Sequence, residues 1–304
     1  MGQGLFVYNI IFEKDPKWIP QLQLFLEAFK KLHQKVVAVN NFKALDVVIR
    51  NKKNLDFVFF YDKDVALAEL IEAQGVPTFN SARAIRICDD KGLTYAKFVE
   101  KKISTPKTMV LPFIFGRDIS TMVNDILNKL YENGFNFPLV VKERKGSFGD
   151  QVYLAVDSAS FYNILARCSN KELLVQQYIA DSKGIDYRII VAGDKVIAAV
   201  RRENQNDFRS NVNQGGKMVP VNNLSYYVKK LAVEAAKACK CEYAGVDIVV
   251  DKKENYYVLE VNSNARTYAM EQVTNQDITI DIIKHCLKRI KYCRTVELKY
   301  KDYL

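Results

Sequence analysis

The chain predicts an α+β fold of three lobes, the first of them an α/β lobe on a parallel sheet. Three observations carry this expectation. Apolar strands alternate with amphipathic helices up to about residue 88, a glycine-bearing loop joins two strands near the middle, and from Asp181 onward apolar runs come in antiparallel pairs. The expected units are a first α/β domain over 1–88, a central lid domain over 89–180 and a C-terminal domain over 181–304 that carries a metal-binding hairpin.

Each element has its own signal. LFVYNII reads as a strand, and an amphipathic helix follows from Pro16 to about Gln34. KVVAVNN and LDFVFFYD are the next strands, followed by a helix ending at Gly75 and the short run VPTFN, which completes a βαβ rhythm. The stretch CDDKGLTYAKFVEKKI begins a new helix with an acidic first turn, and this sets the first boundary near residue 88. After STPKTMVL comes a helix over about 118–132, then FPLVVKERKGSFGDQVYLAVD, which reads as strand, loop and strand. Ser158 is placed to cap the helix ASFYNILARC, which leads to the strand ELLVQQYI. DYRIIVAGDKVIAAVRR turns at Gly193-Asp194, and a helix from about Ser225 to Cys239 precedes the last hairpin.

Composition bounds the chemistry. Of 304 residues, 49% are hydrophobic and 26% charged, a globular balance sufficient for two or three cores. MGQGLFVYNII lacks a basic n-region and a small-residue cleavage site, Phe6 breaks a myristoylation pattern, and no apolar run nears the ~20 residues of a membrane span. A cytoplasmic location without membrane attachment is expected, with homo-oligomerisation left open. The six cysteines show no paired zinc spacing, and CKC at 239–241 reads as a helix end. His33 and His285 are the only histidines, which argues against a histidine triad or a zinc hydrolase. Forty-five Lys and Arg against 35 Asp and Glu give +10 and favour acidic partners. The lysines are scattered, apart from IIKHCLKRIKYCR, and this counts against nucleic acid.

The chemistry concentrates in three segments. AGVDIVVD and YYVLEVNSN flank Lys252-Lys253-Glu254-Asn255, and a four-residue loop there pairs Asp251 with Tyr256, Val249 with Val258 and Asp247 with Glu260, with Asn262 on the same face. Opposed carboxylates are destabilising, so the pair asks for a cation, and Asp, Glu and Asn oxygens suit Mg²⁺ or Mn²⁺. Removing the Glu260 charge is then expected to leave metal-free stability unchanged or higher. The alternative is an exposed hairpin end whose acids meet solvent or a lysine. In VVKERKGSFGDQV, Gly146 and Gly149 let backbone N–H groups approach phosphate oxygens while Lys142 and Lys145 supply charge, an ordinary glycine-containing hairpin being the alternative. NDFRSNVNQGG joins Arg209, which matches phosphate or carboxylate bidentately, to Ser210, Asn211, Asn213 and a glycine pair, a long polar loop being the alternative. Arg188, Arg201 and Arg202 add cations on the preceding hairpin, a salt-bridged surface patch being the bland account.

Taken in order, DDK at 89–91, FPLVVK at 137–142, VQQYI at 175–179, DYR at 186–188, DFRSN at 207–211, AGVD at 244–247 and LEVNSN at 259–264 resemble the ATP-grasp superfamily. They are most similar to RimK-type α-L-glutamate ligases and their glutathione-synthetase-like relatives, over about residues 80–285. The resemblance implies a three-lobed ATP-grasp fold with ATP held between the second and third lobes. It implies that Lys91 and Lys142 contact ATP phosphates with the Gly146, Ser147 and Gly149 loop. It places Gln177 and Tyr178 at an adenine-holding hinge, Asp186 at the ribose, and Arg209, Ser210 and Asn211 along the triphosphate. Lys142, Arg209 and Asn211 form the implied catalytic set, and Asp247, Glu260 and Asn262 the ligands of two Mg²⁺ or Mn²⁺ ions. Gln177 stands where relatives commonly have Glu, and Gln151 replaces a glycine of the phosphate loop. The implied activity is ADP-forming carboxylate-amine ligation through an acylphosphate, with L-glutamate as the expected amine and a protein tail, peptide or metabolite as carboxylate acceptor. A ligase making a small dipeptide or modified metabolite is the alternative, ahead of a non-catalytic nucleotide binder or a nucleic-acid binder.

Overall fold

A computed structural model describes residues 3–114, 118–147, 149–210 and 216–301, with side chains as far as Ile290. In the first lobe β1 (Gln3–Tyr8) is followed by α1 (Ile11–Lys14), α2 (Ile19–Lys31), β2 (Val36–Asn40), α3 (Asn41–Asn51), β3 (Leu55–Tyr61), α4 (Val65–Glu72) and β4 (Thr78–Phe79). The strands make the expected parallel sheet in the order β2-β1-β3-β4, and β1 and β3 are apolar on both faces because helices cover both. The helix α3 was not expected: it buries only Ala44 and Val48, too narrow a stripe to read from period alone.

The helix expected to begin at Cys88 is instead two, α5 (Ala82–Asp89) and α6 (Lys91–Lys101), broken where Asp90 caps the second. Asp90 Oδ1 accepts the Gly92 and Leu93 N–H groups at 2.8 and 3.2 Å. α5 is a wedge, with Ala82 and Ile85 in the first core and Ala84 and Ile87 in the C-terminal one. Phe98 and Ile103 also join the C-terminal core, so residues 91–103 pack there rather than with the central lobe.

The central sheet starts at β5 (Thr108–Val110), followed by α7 (Val123–Glu132), β6 (Leu139–Glu143), β7 (Val152–Ala155), α8 (Ser158–Arg167) and β8 (Leu173–Gln177). It is antiparallel in the order β5-β8-β6-β7, and its core of Leu130, Leu139, Val141, Phe161 and Val175 is its own. Asp157, not Ser158, caps α8, because its carboxylate reaches the Ser160 N–H at 2.7 Å and the Ser160 hydroxyl closes a capping box.

β9 (Ile185–Ala192) and β10 (Lys195–Glu203) turn at Gly193, whose φ of 57° suits glycine. β11 (Lys217–Pro220), α9 (Tyr226–Ala238), β12 (Tyr243–Val250), β13 (Tyr256–Asn262), α10 (Tyr268–Thr274) and α11 (Ile278–Lys301) complete the chain. The antiparallel sheet runs β11-β10-β9-β12-β13. α9 covers one face with Leu231, Ala232, Ala235 and Ala236, while the other face meets the first lobe, where the Phe59 and Tyr243 rings stack 5.3 Å apart. First and C-terminal lobes thus share one apolar core, and polar side chains collect between the central and C-terminal sheets. Among the described residues no helix is long and apolar enough to cross a membrane.

Candidate active site

Asp247 does pair with Glu260 across β12 and β13, but the path to that pairing differs from the expectation. Asp251 leaves the ladder, its Oδ1 accepting the Lys253 and Asn255 N–H groups at 2.9 Å each, so the loop spans five residues and Val250 pairs with Tyr256 and Ile248 with Val258. A bulge beside Asp247 and Ile248 then restores the Asp247–Glu260 register and leaves Leu259 as the extra residue. Two consecutive side chains, Leu259 and Glu260, therefore line the same cleft of 130 Å³.

The cation between the carboxylates comes partly from the protein. Arg188 lies opposite Asp247 on β9 and grips its carboxylate with two N–H groups, the Nη2 contact at 2.8 Å, while Arg202 Nη2 reaches the same carboxylate at 2.9 Å. Arg202 also holds Asp186, through Nε at 2.7 Å and a second contact. Arg188 and Arg202 are thus part of a buried network, not a surface patch; Arg201 is outside it and pairs with Glu203. Glu260 accepts Asn262 Nδ2 at 2.9 Å. Burial would raise the Glu260 carboxyl, but Lys91, Arg188 and the Asn262 hydrogen bond outweigh it and hold the group well below the usual carboxylate range. Burial, with Asp186 and Glu260 nearby, pushes Asp247 up to about 6 against the pull of Arg188 and Arg202.

Asp247, Glu260 and Asn262 all line the cleft and offer hard oxygen donors. Among the described residues no three His, Cys, Asp or Glu side chains form a metal cluster, so this set is two acids and one amide. It fits ions such as Mg²⁺, which take their remaining ligands from phosphate and water.

The base of α6 docks on the glycine loop. Arg144 holds Asp90 bidentately at 2.9 and 2.5 Å, the Lys91 N–H donates to the Arg144 carbonyl at 2.9 Å, and Lys91 Nζ reaches the Gly146 carbonyl at 3.2 Å. Gln151 explains its own departure from glycine: its Oε1 accepts the Ser147 N–H at 3.1 Å, in space that a Cβ on Gly146 would fill. Ser147 and Gly149 line the cleft, and Arg209, held by Asp207, crosses to donate to the Gly149 carbonyl at 2.7 Å. Ser210 is buried beside it. Lys145 is exposed and lies away from the cleft, so the loop charge comes from Lys91 and Lys142 instead. Asn211 lies outside the described residues.

Lys142 is buried, donates to Gln176 Oε1 at 2.7 Å, and has its pKa pushed down to about 8 by burial. Gln176, in turn held by Thr108 at 2.9 Å, was missed by sequence reading, although strand alternation puts it opposite Gln177 in direction. Gln177 and Tyr178 line the cleft with Ile185 and Leu259, an apolar slot suited to a flat base. The Gln177 amide is tied to the Asn136 backbone at 2.9 and 3.1 Å. Asp186 also lines the cleft, but Arg202 holds its carboxylate.

Comparison with known proteins agrees with this geometry. Residues 88–286 match the RimK-like ATP-grasp domain. The chain is 32% identical over 284 residues to a protein of Mycoplasma genitalium, covering 91% of this chain and 97% of that one. It is 33% identical over 231 residues to a Legionella pneumophila protein named probable alpha-L-glutamate ligase, covering 74% and 72%. In fold it resembles the D-alanine–D-alanine ligase of Bacillus anthracis complexed with ATP, at a TM-score of 0.70 and 20% identity over 96% of this chain and 99% of that one. With the motifs, the three lobes and the cationic cleft all in place, the chain belongs to the RimK-like ATP-grasp family of ADP-forming ligases.

Proposed function

We propose that this chain joins the amine of L-glutamate to the carboxylate of a protein tail, peptide or metabolite, using ATP and two Mg²⁺ or Mn²⁺ ions. The observation that carries the reading is convergence: Lys91, Lys142 and Arg209, from three distant segments, line one cleft with Glu260 and Asn262. An acceptor carboxylate oxygen attacks the γ-phosphorus of ATP, the bond to the β-phosphate oxygen breaks, and ADP leaves. The amine nitrogen then attacks the acyl carbon, forming the C–N bond as phosphate departs with its electron pair and a proton is released. Lys91, Lys142 and Arg209 balance the phosphate charge, the glycine loop presents N–H groups, and the apolar slot at Tyr178 and Leu259 orients the base. Asp247, Glu260 and Asn262 would hold the metal ions, which would supply further positive charge to the phosphates. The choice of glutamate is supported by the identity with the Legionella relative.

The test is incubation with ATP, Mg²⁺, each amino acid in turn and a cell extract as acceptor source. Mass additions of glutamyl units are expected. Consistent incorporation of a different amino acid contradicts the choice of glutamate.

A further inference from the structure

The alternation that turns Glu260 and Asn262 toward the cleft continues beyond β13. Ser263, Ala265 and Thr267 are buried, while Asn264 and Arg266 are half-buried and line a second cavity of about 360 Å³ that shares Glu260 and Asn262 with the first. The first lobe fixes this segment. Asn80 Nδ2 donates to the Ser263 carbonyl at 2.7 Å, the Tyr61 hydroxyl to the Ala265 carbonyl at 3.0 Å, and Gln21 Oε1 accepts the Thr267 N–H at 2.9 Å. Asn264 and Arg266 thus project from a held backbone.

Among the described residues, two polar groups here lack the partner their burial calls for. Asn264 Oδ1 is buried, and none of those residues donates a hydrogen bond to it. The Arg266 guanidinium lies 4.3 Å from the centre of the Trp18 ring, and among the described residues no carboxylate pairs with it. Burial, with Arg188 nearby, lowers its pKa, the mark of a cation short of an anion. The other charges of the wall are engaged: Arg188 and Arg202 by Asp247, Lys63 by Ser147 at 2.8 Å and Asp89 at 3.5 Å, and Asp62 by Asn9 and Asn41. Stacking on Trp18 uses the face of the guanidinium and leaves its edge N–H groups for a carboxylate.

We propose that this cavity binds the amine substrate as a free α-amino acid, its α-carboxylate on Arg266 and its nitrogen on Asn264 Oδ1. This rests on the ligase reading above. The order along the chain supports it, with phosphate-end ligands at Glu260 and Asn262, a nitrogen acceptor at Asn264 and a carboxylate anchor at Arg266. Four residues span at most about 14 Å, so the anchor holds the nitrogen within reach of the cleft. Trp18 comes from the first lobe, so the substrate is gripped by side chains of two lobes. The side chain of the amino acid occupies the rest of the cavity, which the anchor does not read.

The test is calorimetric binding of L-glutamate, L-glutamine, glutamate α-amide and N-acetylglutamate to the full chain saturated with Mg²⁺ and a non-hydrolysable ATP analogue. L-glutamate and L-glutamine are expected to bind, with the α-amide and the N-acetyl compound weaker by about 100-fold. R266Q is expected to lose about 100-fold in glutamate affinity and R266K less, while the affinity for the ATP analogue, which reports the fold, stays within about twofold. Binding lost in R266Q upholds the site even if no ligation is ever observed, in which case only the ligase reading falls. Equal binding of the α-amide, undiminished binding in R266Q, or no amino-acid binding to the wild type overturns the site.

Discussion

Asp247 and Glu260 sit opposite each other, yet Arg188 and Arg202 already shield Asp247, so little repulsion is left for a mutation to relieve. This reverses the sign expected from the hairpin alone. The Glu260 carboxyl is held below its ordinary pKa by Lys91 and Arg188, so its ionised form contributes stability that is present above the unfolded value of 4.5 and is lost as pH falls through the depressed folded one. Glu260→Gln forfeits that contribution and is expected to cost about 1–3 kcal/mol near neutral pH, read by denaturant unfolding without metal. ATP turnover in the same variant should fall by roughly 1000-fold, several kcal/mol of phosphoryl-charge stabilisation, measured as ADP release. Lys142 makes the opposite kind of contribution. Its folded pKa is about 8 against 10.5, so between those values the unfolded chain holds the proton more tightly, and stability without nucleotide rises as pH climbs through that window. The rise from this one group is at most about 1.4 kcal/mol per pH unit, and Lys142→Met should flatten it in unfolding curves collected from about pH 7 to about pH 10. The identities of Lys91, Lys142, Glu260 and Asn262 were legible in the motifs. The guanidinium shield was not, because Arg188 and Arg202 reach Asp247 only once β9, β10 and β12 lie side by side.

Among the elements, the bulge at Leu259 is the feature that most shapes the cleft. An unbroken ladder would send Leu259 to the face opposite Glu260; the bulge turns both toward the cleft, Leu259 on its apolar side and Glu260 near Lys91 and Arg188. Leu259→Ala removes apolar contact area from the slot and leaves the ladder pairs intact. It is therefore expected to raise the KM for ATP by about tenfold, with kcat and the unfolding midpoint little changed, as steady-state kinetics and thermal unfolding would report. Hairpins and the helix over 226–238 were legible from period and turn chemistry, since Ser225 caps that helix as its sequence invites. The bulge was not, because Asp251 closes the loop with its side chain and shifts the register by one, a choice that alternation cannot show. The same limit hid the break at Asp90, where an N-cap and an ion pair to Arg144 divide what reads as one acidic helix start.

At the scale of the molecule, the three-lobed α+β architecture followed from the order of strand and helix signals, but the way the lobes share cores did not. Phe59 and Tyr243 belong to lobes at opposite ends of the sequence, and their stacking joins the first lobe to the C-terminal sheet, leaving the central lobe with a core of its own. A lobe with a separate core can shift over the cleft without breaking apolar packing elsewhere, and closure of this kind protects an acylphosphate from water. On the proposed reading, the cations, hard oxygen donors and apolar slot that line one cleft serve the transfer of the γ-phosphoryl group to a carboxylate. The most direct measurement is to identify the nucleotide released when the protein turns over ATP with Mg²⁺, L-glutamate and an acceptor extract. ADP and inorganic phosphate, released together and only when amine and acceptor are both present, is the result this account predicts; AMP and pyrophosphate, the products of adenylation, would contradict it.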